Sequence, residues 1–271
     1  MIELKKNEEQ LVNEVMGKIS LSKDKVNLEK HVVSLSKAVV DLSKKNDVDI
    51  GDVRAKVVVA LDYSGSMSEL YRKGVVQDTI SRLVPLGLTF DDNGSIDVYL
   101  FESGYRKFDD LTLENYDDYV KEVIDKSDYS MGGTNYAGVL NDIVFGGTHT
   151  ETVEKRGLFG FGKKKVTTEV KRDAIVSDEQ PTFVIFITDG ENMDKNATDD
   201  VIRRSSKENV FIQFVGIGSE KFSYLKKLDE LSGRDRDNTG FVKLANLDTV
   251  SDDELYTSVL EEFASWLKGE Q

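Results

Sequence analysis

Apolar positions change their spacing along the chain, and each change marks a different kind of element. Leu11, Val15 and Ile19 recur every four residues. Leu28, Val32, Leu35, Val39 and Leu42 then follow i, i+4, i+7, i+11 and i+14, one stripe of a helix. The second stripe sits inside a repeat of period seven: Ser20-Leu21-Ser22-Lys23, Asn27-Leu28-Glu29-Lys30, Ser34-Leu35-Ser36-Lys37, Asp41-Leu42-Ser43-Lys44. Residues 1–50 are therefore expected to form an N-terminal helical segment. Short isolated helices are marginal in water, so docking of this segment on the rest of the chain is favoured over a coiled coil with another copy.

Beyond the connector at 46–52 the period shifts. Val57-Val58-Val59-Ala60-Leu61 and Phe183-Val184-Ile185-Phe186-Ile187 are continuous apolar runs, as expected of strands buried on both faces. Ile96–Phe101, Val210–Val215 and Phe241–Leu244 predict further strands, and Arg106-Lys107-Phe108 a short edge strand. Helical spacing returns between them: Ser68–Leu83, the stretch around Tyr116, Val120 and Val123, Ala137–Val144, the region opened by Asn196, Phe222–Leu231, and Leu255–Leu267. Alternating strand and helix signals imply an α/β fold, a doubly wound, mostly parallel sheet flanked by helices. Residues 51–271 are expected to be one domain. Residues 146–180 interrupt its rhythm: two alternating arms flank Gly157-Leu158-Phe159-Gly160-Phe161-Gly162, a pattern for a projecting hairpin or a mobile loop.

Composition narrows the function. The 271 residues carry a net charge of -14, which argues against general nucleic-acid binding, where phosphates demand Lys and Arg. The charge is uneven: residues 151–172 hold seven basic and three acidic side chains. A basic projection on an acidic body is expected to be solvated unless it meets an acidic surface. With no cysteine, disulfides, thiolate catalysis and Cys-ligated zinc are excluded. No apolar run reaches the roughly 18–20 residues of a membrane span. The opening residues Met1–Glu9 lack the apolar core of a signal peptide, so a cytoplasmic location is the default expectation.

Candidate chemistry lies where the buried strands stop. The first ends on Asp62-Tyr63-Ser64-Gly65-Ser66 and the second on Thr188-Asp189-Gly190-Glu191-Asn192. In open α/β sheets the carboxyl ends of the strands are where ligands bind. Asp62, Ser64 and Ser66 offer only oxygen, which suits a hard divalent cation, Mg²⁺ before Mn²⁺ or Ca²⁺. A loop capping its own helix has the same composition, and Asp-x-Ser-x-Ser alone leaves the two open. Gly132-Gly133-Thr134 supplies another hydroxyl before a helix. Right-handed crossovers deliver all these loops to one edge, so Asp62, Ser64, Ser66, Thr134 and Asp189 together favour a cation site. Two other patterns fail. Asp91–Glu102 has Ile96 where a calcium loop needs glycine, and Gly216-Ile217-Gly218 has Lys221 where a dinucleotide fingerprint needs its third glycine. His31 and His149 lie outside the metal loops and read as surface residues.

At these residues the chain resembles the von Willebrand factor A (VWA) family over about residues 53–268. The family's metal-ion-dependent adhesion site uses Asp-x-Ser-x-Ser, a distant Thr and a later Asp. The resemblance implies Ser64, Ser66 and Thr134 as direct ligands, with Asp62 and Asp189 acting directly or through water. It also implies that a protein partner completes the coordination with an Asp or Glu carboxylate. Leu83-Val84-Pro85-Leu86, Phe90–Asp97 and Gly132–Tyr136 are similar to bacterial tellurium-resistance VWA proteins and the copine A domain, and Val26–Lys30 resembles a phrase of tellurium-resistance proteins. The function so implied is a non-enzymatic, metal-dependent binding module in a tellurite or stress-resistance assembly. Two alternatives stand beside it: a metal-dependent phosphohydrolase, and an oligomerising scaffold that self-associates through residues 1–50.

Overall fold

The computed structural model describes residues 6–19, 25–156, 163–244, 246–247 and 249–269, with the main chain alone described at 25–27, 148–156 and 163–170. Six strands form one sheet in the spatial order β3 (Tyr105–Lys107), β2 (Asp97–Phe101), β1 (Lys56–Asp62), β6 (Thr182–Thr188), β7 (Val210–Ile217) and β8 (Thr239–Leu244). Every pairing is parallel except that of the edge strand β3 with β2. Val58 stands opposite Asp97 on one side and Val184 on the other, which brings the ends of β1 and β6 to the same level.

The continuous apolar runs divide between two cores. Val57, Val59, Leu61, Phe183, Ile185 and Ile187 face one layer, while Val58, Ala60, Val184 and Phe186 face the other. This is the period-2 alternation of a strand with both faces covered. The first layer contains α4 (Val75–Phe90) and α8 (Asp252–Lys268); the second contains α5 (Ala137–Phe145), α6 (Lys195–Ser205) and α7 (Ser223–Asp229).

Two helices precede the sheet, α1 (Glu8–Ile19) and α2 (Lys25–Asn46). Leu28, Val32, Leu35, Val39 and Leu42 are all buried in the first layer, and α2 packs on α8 and α4. Ion pairs flank that contact: Lys37 with Asp253 at 2.7 Å and Lys45 with Glu261. His31 is not a surface residue. Its Nδ1 lies 2.8 Å from Asp252 Oδ2, and Arg82 Nε donates to the other oxygen of that carboxylate at 2.7 Å.

Three elements depart from their expected outlines. The stretch 68–83 is two helices, α3 (Ser68–Arg72) and α4, because Gly74 adopts a left-handed conformation with φ 80° between them. Helix α4 then runs through Pro85 to Phe90, since Val84, Leu86, Leu88 and Phe90 bury that end and offset the hydrogen bond proline cannot make. Around Tyr116 the backbone forms a 3₁₀ turn (Tyr116–Asp118) and a π turn (Val120–Ile124) instead of one α-helix. Buried Tyr116, Tyr119, Val120 and Ile124 hold it to the core.

The arms of the insertion pair as an antiparallel hairpin, β4 (Gly147–Arg156) with β5 (Lys163–Arg172), separate from the main sheet. Its root is fixed by charge. Asp142, fully buried on α5, accepts hydrogen bonds from Arg172 Nη1 at 2.7 Å, Tyr99 Oη at 3.1 Å and Tyr105 Oη at 3.2 Å. Leu158, Phe159 and Phe161 at the turn lie outside the described residues.

Candidate metal centre

β1 carries no polar side chain from Val57 to Leu61 and then ends on Asp62, whose side chain is excluded from water. The next residues turn the chain away through a 3₁₀ turn (Gly65–Met67). Asp62 Oδ1 accepts from the Ser64 amide at 2.8 Å, the bond that forms when an Asp folds back on its own turn. Asp62 Oδ2 accepts from Thr188 Oγ1, on the adjacent strand, at 2.6 Å. Ser64 Oγ is 3.0 Å from Ser66 Oγ, and Ser66 Oγ donates to Asp189 Oδ1 at 2.8 Å. Asp62, Ser64, Ser66 and Asp189 thus form one connected set of oxygens at the carboxyl end of β1 and β6.

Thr134 enters differently. Its loop is stitched to the first by main-chain bonds, from Gly65 N to Gly132 O at 3.1 Å and from Gly132 N to Tyr63 O at 3.4 Å. It is stitched to the third loop by Met193 N, which donates to the Thr134 carbonyl at 2.9 Å. The Asp194 carboxylate caps the helix that follows Thr134, accepting from Tyr136 N at 3.0 Å and Ala137 N at 2.8 Å. The Thr134 hydroxyl makes no hydrogen bond among the described residues and is left out of the chain linking the other four.

Of the two glycines before Thr134, Gly132 makes the tighter approach, since the exposed Met193 beside Gly133 can move aside. A methyl at Gly132 would stand 2.1 Å from Glu102 Oε2, and one at Gly133 would stand 2.6 Å from Met193 Cε and 2.9 Å from Ser103 Oγ. Glu102 cannot yield freely, because its other oxygen accepts from Gly104 N at 2.8 Å.

Electrostatics explain what the set lacks. Burial pushes the Asp62 carboxyl up to about 6, against the opposing pull of its hydrogen bonds from Ser64 and Thr188, and the charge of Asp189 raises it further. Burial likewise raises Asp189, with the nearby Glu220 charge adding to it. Among the described residues, no Lys, Arg or His forms an ion pair with either carboxylate. Nor do the described residues include any group of three or more His, Cys, Asp and Glu side chains able to hold a metal. What is present is two carboxylates among hydroxyls, all hard oxygen, and a divalent cation would supply the missing positive charge. The residues fit such an ion.

Thr188, Asp194 and Tyr136 also serve this edge. Tyr136 Oη lies 3.1 Å from Thr188 Oγ1 and donates to the Gly190 carbonyl at 2.6 Å, holding the loop of Asp189. Thr188 was visible as a hydroxyl immediately before Asp189. The cap by Asp194 spans two distant loops, so no local spacing announces it.

Residues 54–271 match the family described as the vWA domain found in the TerF C terminus. The chain belongs to the TerF-like VWA family. The chain is 34% identical, over 218 residues, to the Bacillus subtilis (strain 168) protein YcbR, a match covering 80% of this chain and 79% of that one. Among solved structures, proximal thread matrix protein 1 of the mussel byssus superposes with a TM-score of 0.51 at 18% identity. That superposition covers 79% of this chain and 49% of the mussel protein, and likeness at this level speaks for the VWA fold alone.

Proposed function

We propose that this chain is a metal-dependent protein-binding module, whose VWA domain grips a partner through a cation held by Asp62, Ser64, Ser66, Thr134 and Asp189. One observation carries the reading. Asp62 is a fully buried carboxylate whose hydrogen-bond donors are neutral and whose charged neighbour is another carboxylate. Burying an ion without an opposite charge is costly, and a divalent cation removes that cost. A small set of hard oxygens suits Mg²⁺, with Mn²⁺ or Ca²⁺ as substitutes. Two carboxylates among hydroxyls leave the ion electron-poor, so an Asp or Glu of a protein partner completes it.

Binding, with no turnover, is the role this donor set supports. No histidine or basic side chain bonds to any of the five residues among those described, so neither a proton shuttle nor a phosphate clamp accompanies the ion. Membership of the TerF-like family supports a setting in a bacterial tellurite or stress-resistance assembly in the cytoplasm. No helix among the described residues is long and apolar enough to cross a membrane. Residues 1–50 act as a brace on the 51–271 domain, a role favoured over self-association because the apolar stripe of α2 is already buried against α4 and α8.

The test is a thermal melt of the full chain in Mg²⁺ and in EDTA, paired with a pull-down from the host under the same two conditions. Mg²⁺ should raise Tm by preferential binding to the folded state, and Asp62→Ala should abolish both the shift and any Mg²⁺-dependent capture. An unchanged Tm at millimolar Mg²⁺ would overturn the proposal.

A further inference from the structure

A cavity of about 440 Å³ opens directly beside the metal centre, with Ser66 and Asp189 in its wall. It lies between α3 and the loops that follow β7 and β8. Leu70, Val75, Ile217 and Leu247 supply its apolar lining, and the last three are buried in the core. Its charged lining is Glu69, Lys73, Asp189 and Glu220, and these side chains are not equivalent: Lys73 is neutralised by Glu69. Glu69 is claimed within its own helix turn by Arg72 at 2.7 Å and Lys73 at 3.2 Å. Glu220 has no such partner: among the described residues its carboxylate forms no ion pair. Lys243 reaches this loop but donates to main-chain carbonyls, Glu220 O at 2.8 Å and Ser219 O at 3.3 Å.

We propose that this cavity is the second half of the partner footprint and receives a long basic side chain, lysine or arginine, neighbouring the carboxylate that meets the metal. The inference rests on the reading of the metal as a partner contact and adds the chemistry of the partner segment. A lysine or arginine has an apolar stem and a charged tip. The stem matches the Leu70, Val75, Ile217 and Leu247 lining, and the tip matches Glu220. An acidic side chain there would be opposed by Glu220, and an aliphatic one would use the lining alone. Ser66 and Asp189 belong to both the metal set and the cavity wall, so one short segment supplies both partner side chains.

The probes are capped eleven-residue Gly/Ser peptides carrying one Asp, with Lys, Leu or Glu placed in turn at each of the four nearest positions. Binding to the full chain is read by fluorescence anisotropy in saturating Mg²⁺. At one or more positions Lys should tighten binding about threefold to tenfold over Asp alone, the range of a partly exposed ion pair plus stem burial. Leu should give less, and Glu should weaken binding. Glu220→Gln should erase the Lys gain while a Mg²⁺ melting shift persists, reduced at most by the loss of one charge near Asp189. Glu114→Gln controls for general attraction to an acidic body; it removes one charge near Leu111, which bridges to Ile96 before β2, at the opposite end of the sheet, and should keep the gain. Asp peptides that bind with no Lys advantage, a Lys gain that survives Glu220→Gln, or Leu equalling Lys would each overturn the cavity proposal and spare the metal. Loss of all Mg²⁺ effects would overturn both.

Discussion

Asp62 and Asp142 are both fully buried carboxylates beside the same sheet, and the fold treats them in opposite ways. Asp142 has its own guanidinium, Arg172, at 2.7 Å, with two tyrosine hydroxyls completing its shell. Asp62 has a serine amide, a threonine hydroxyl and a neighbouring carboxylate. The first arrangement is complete within the chain and pins the root of the hairpin. The second requires positive charge from outside. Burial alone does not mark a site; burial without a counter-charge does.

Breaking Asp142's pair should have the largest effect. Arg172→Ala strands a buried charge and should cost about 3–5 kcal/mol, read by urea unfolding, while the Mg²⁺ shift survives. The companion change at the metal edge should look different. Asp62→Asn should leave metal-free stability unchanged or improved, because an uncompensated carboxylate is removed, yet abolish a Mg²⁺ stabilisation worth about 2.7 kcal/mol at a hundredfold excess over Kd. A metal-free loss as large as that of Arg172→Ala would erase the distinction. Thr188→Val removes one donor to Asp62 without replacing any proposed ligand, and should weaken Mg²⁺ binding about 10- to 100-fold, measured by calorimetric titration.

The smallest effect concerns another pair of acids, Asp229 and Glu262. Burial raises both carboxyls above their ordinary range; the Asp237 charge adds to it at Asp229, and the charges of Asp229 and Asp237 add to it at Glu262. Their folded forms hold protons more tightly than the unfolded chain does, so this contribution to stability is greatest at acid pH. It is lost as pH climbs from the ordinary carboxylate range through the raised folded values. Glu262→Gln should flatten that slope and stabilise the protein at neutral pH by up to about 1 kcal/mol, after allowing for solvent screening. An unchanged slope in pH-dependent melts would show that the pair carries no such penalty.

Much of this was legible in residue order. The runs at Val57–Leu61 and Phe183–Ile187 announced buried parallel strands, and the stripe from Leu28 to Leu42 announced a buried helix, because burial patterns are periodic. Asp62, Ser64, Ser66 and Asp189 could be named because strand ends converge on one edge, and the structure links them by hydrogen bonds. Thr134 reaches that edge through its main chain. What stayed hidden depends on contacts between distant segments. His31 looks like any exposed helical residue until Asp252, 221 positions later, is placed beside it. Asp194 caps a helix from 57 positions away. Pro85 signals a helix end locally, and only the burial of Leu86, Leu88 and Phe90 shows why the helix continues. Met193, 70% exposed against Gly133 at the rim of the site, gives no sequence signal at all.

The central claim is that Asp62 is built for a cation, and Mn²⁺ titration followed by electron paramagnetic resonance tests it most directly. The full chain should bind one equivalent of Mn²⁺, Mg²⁺ should displace it, and Asp62→Asn should lose it while remaining folded. No bound Mn²⁺ in the wild-type chain, or equal binding by the variant, would contradict the account.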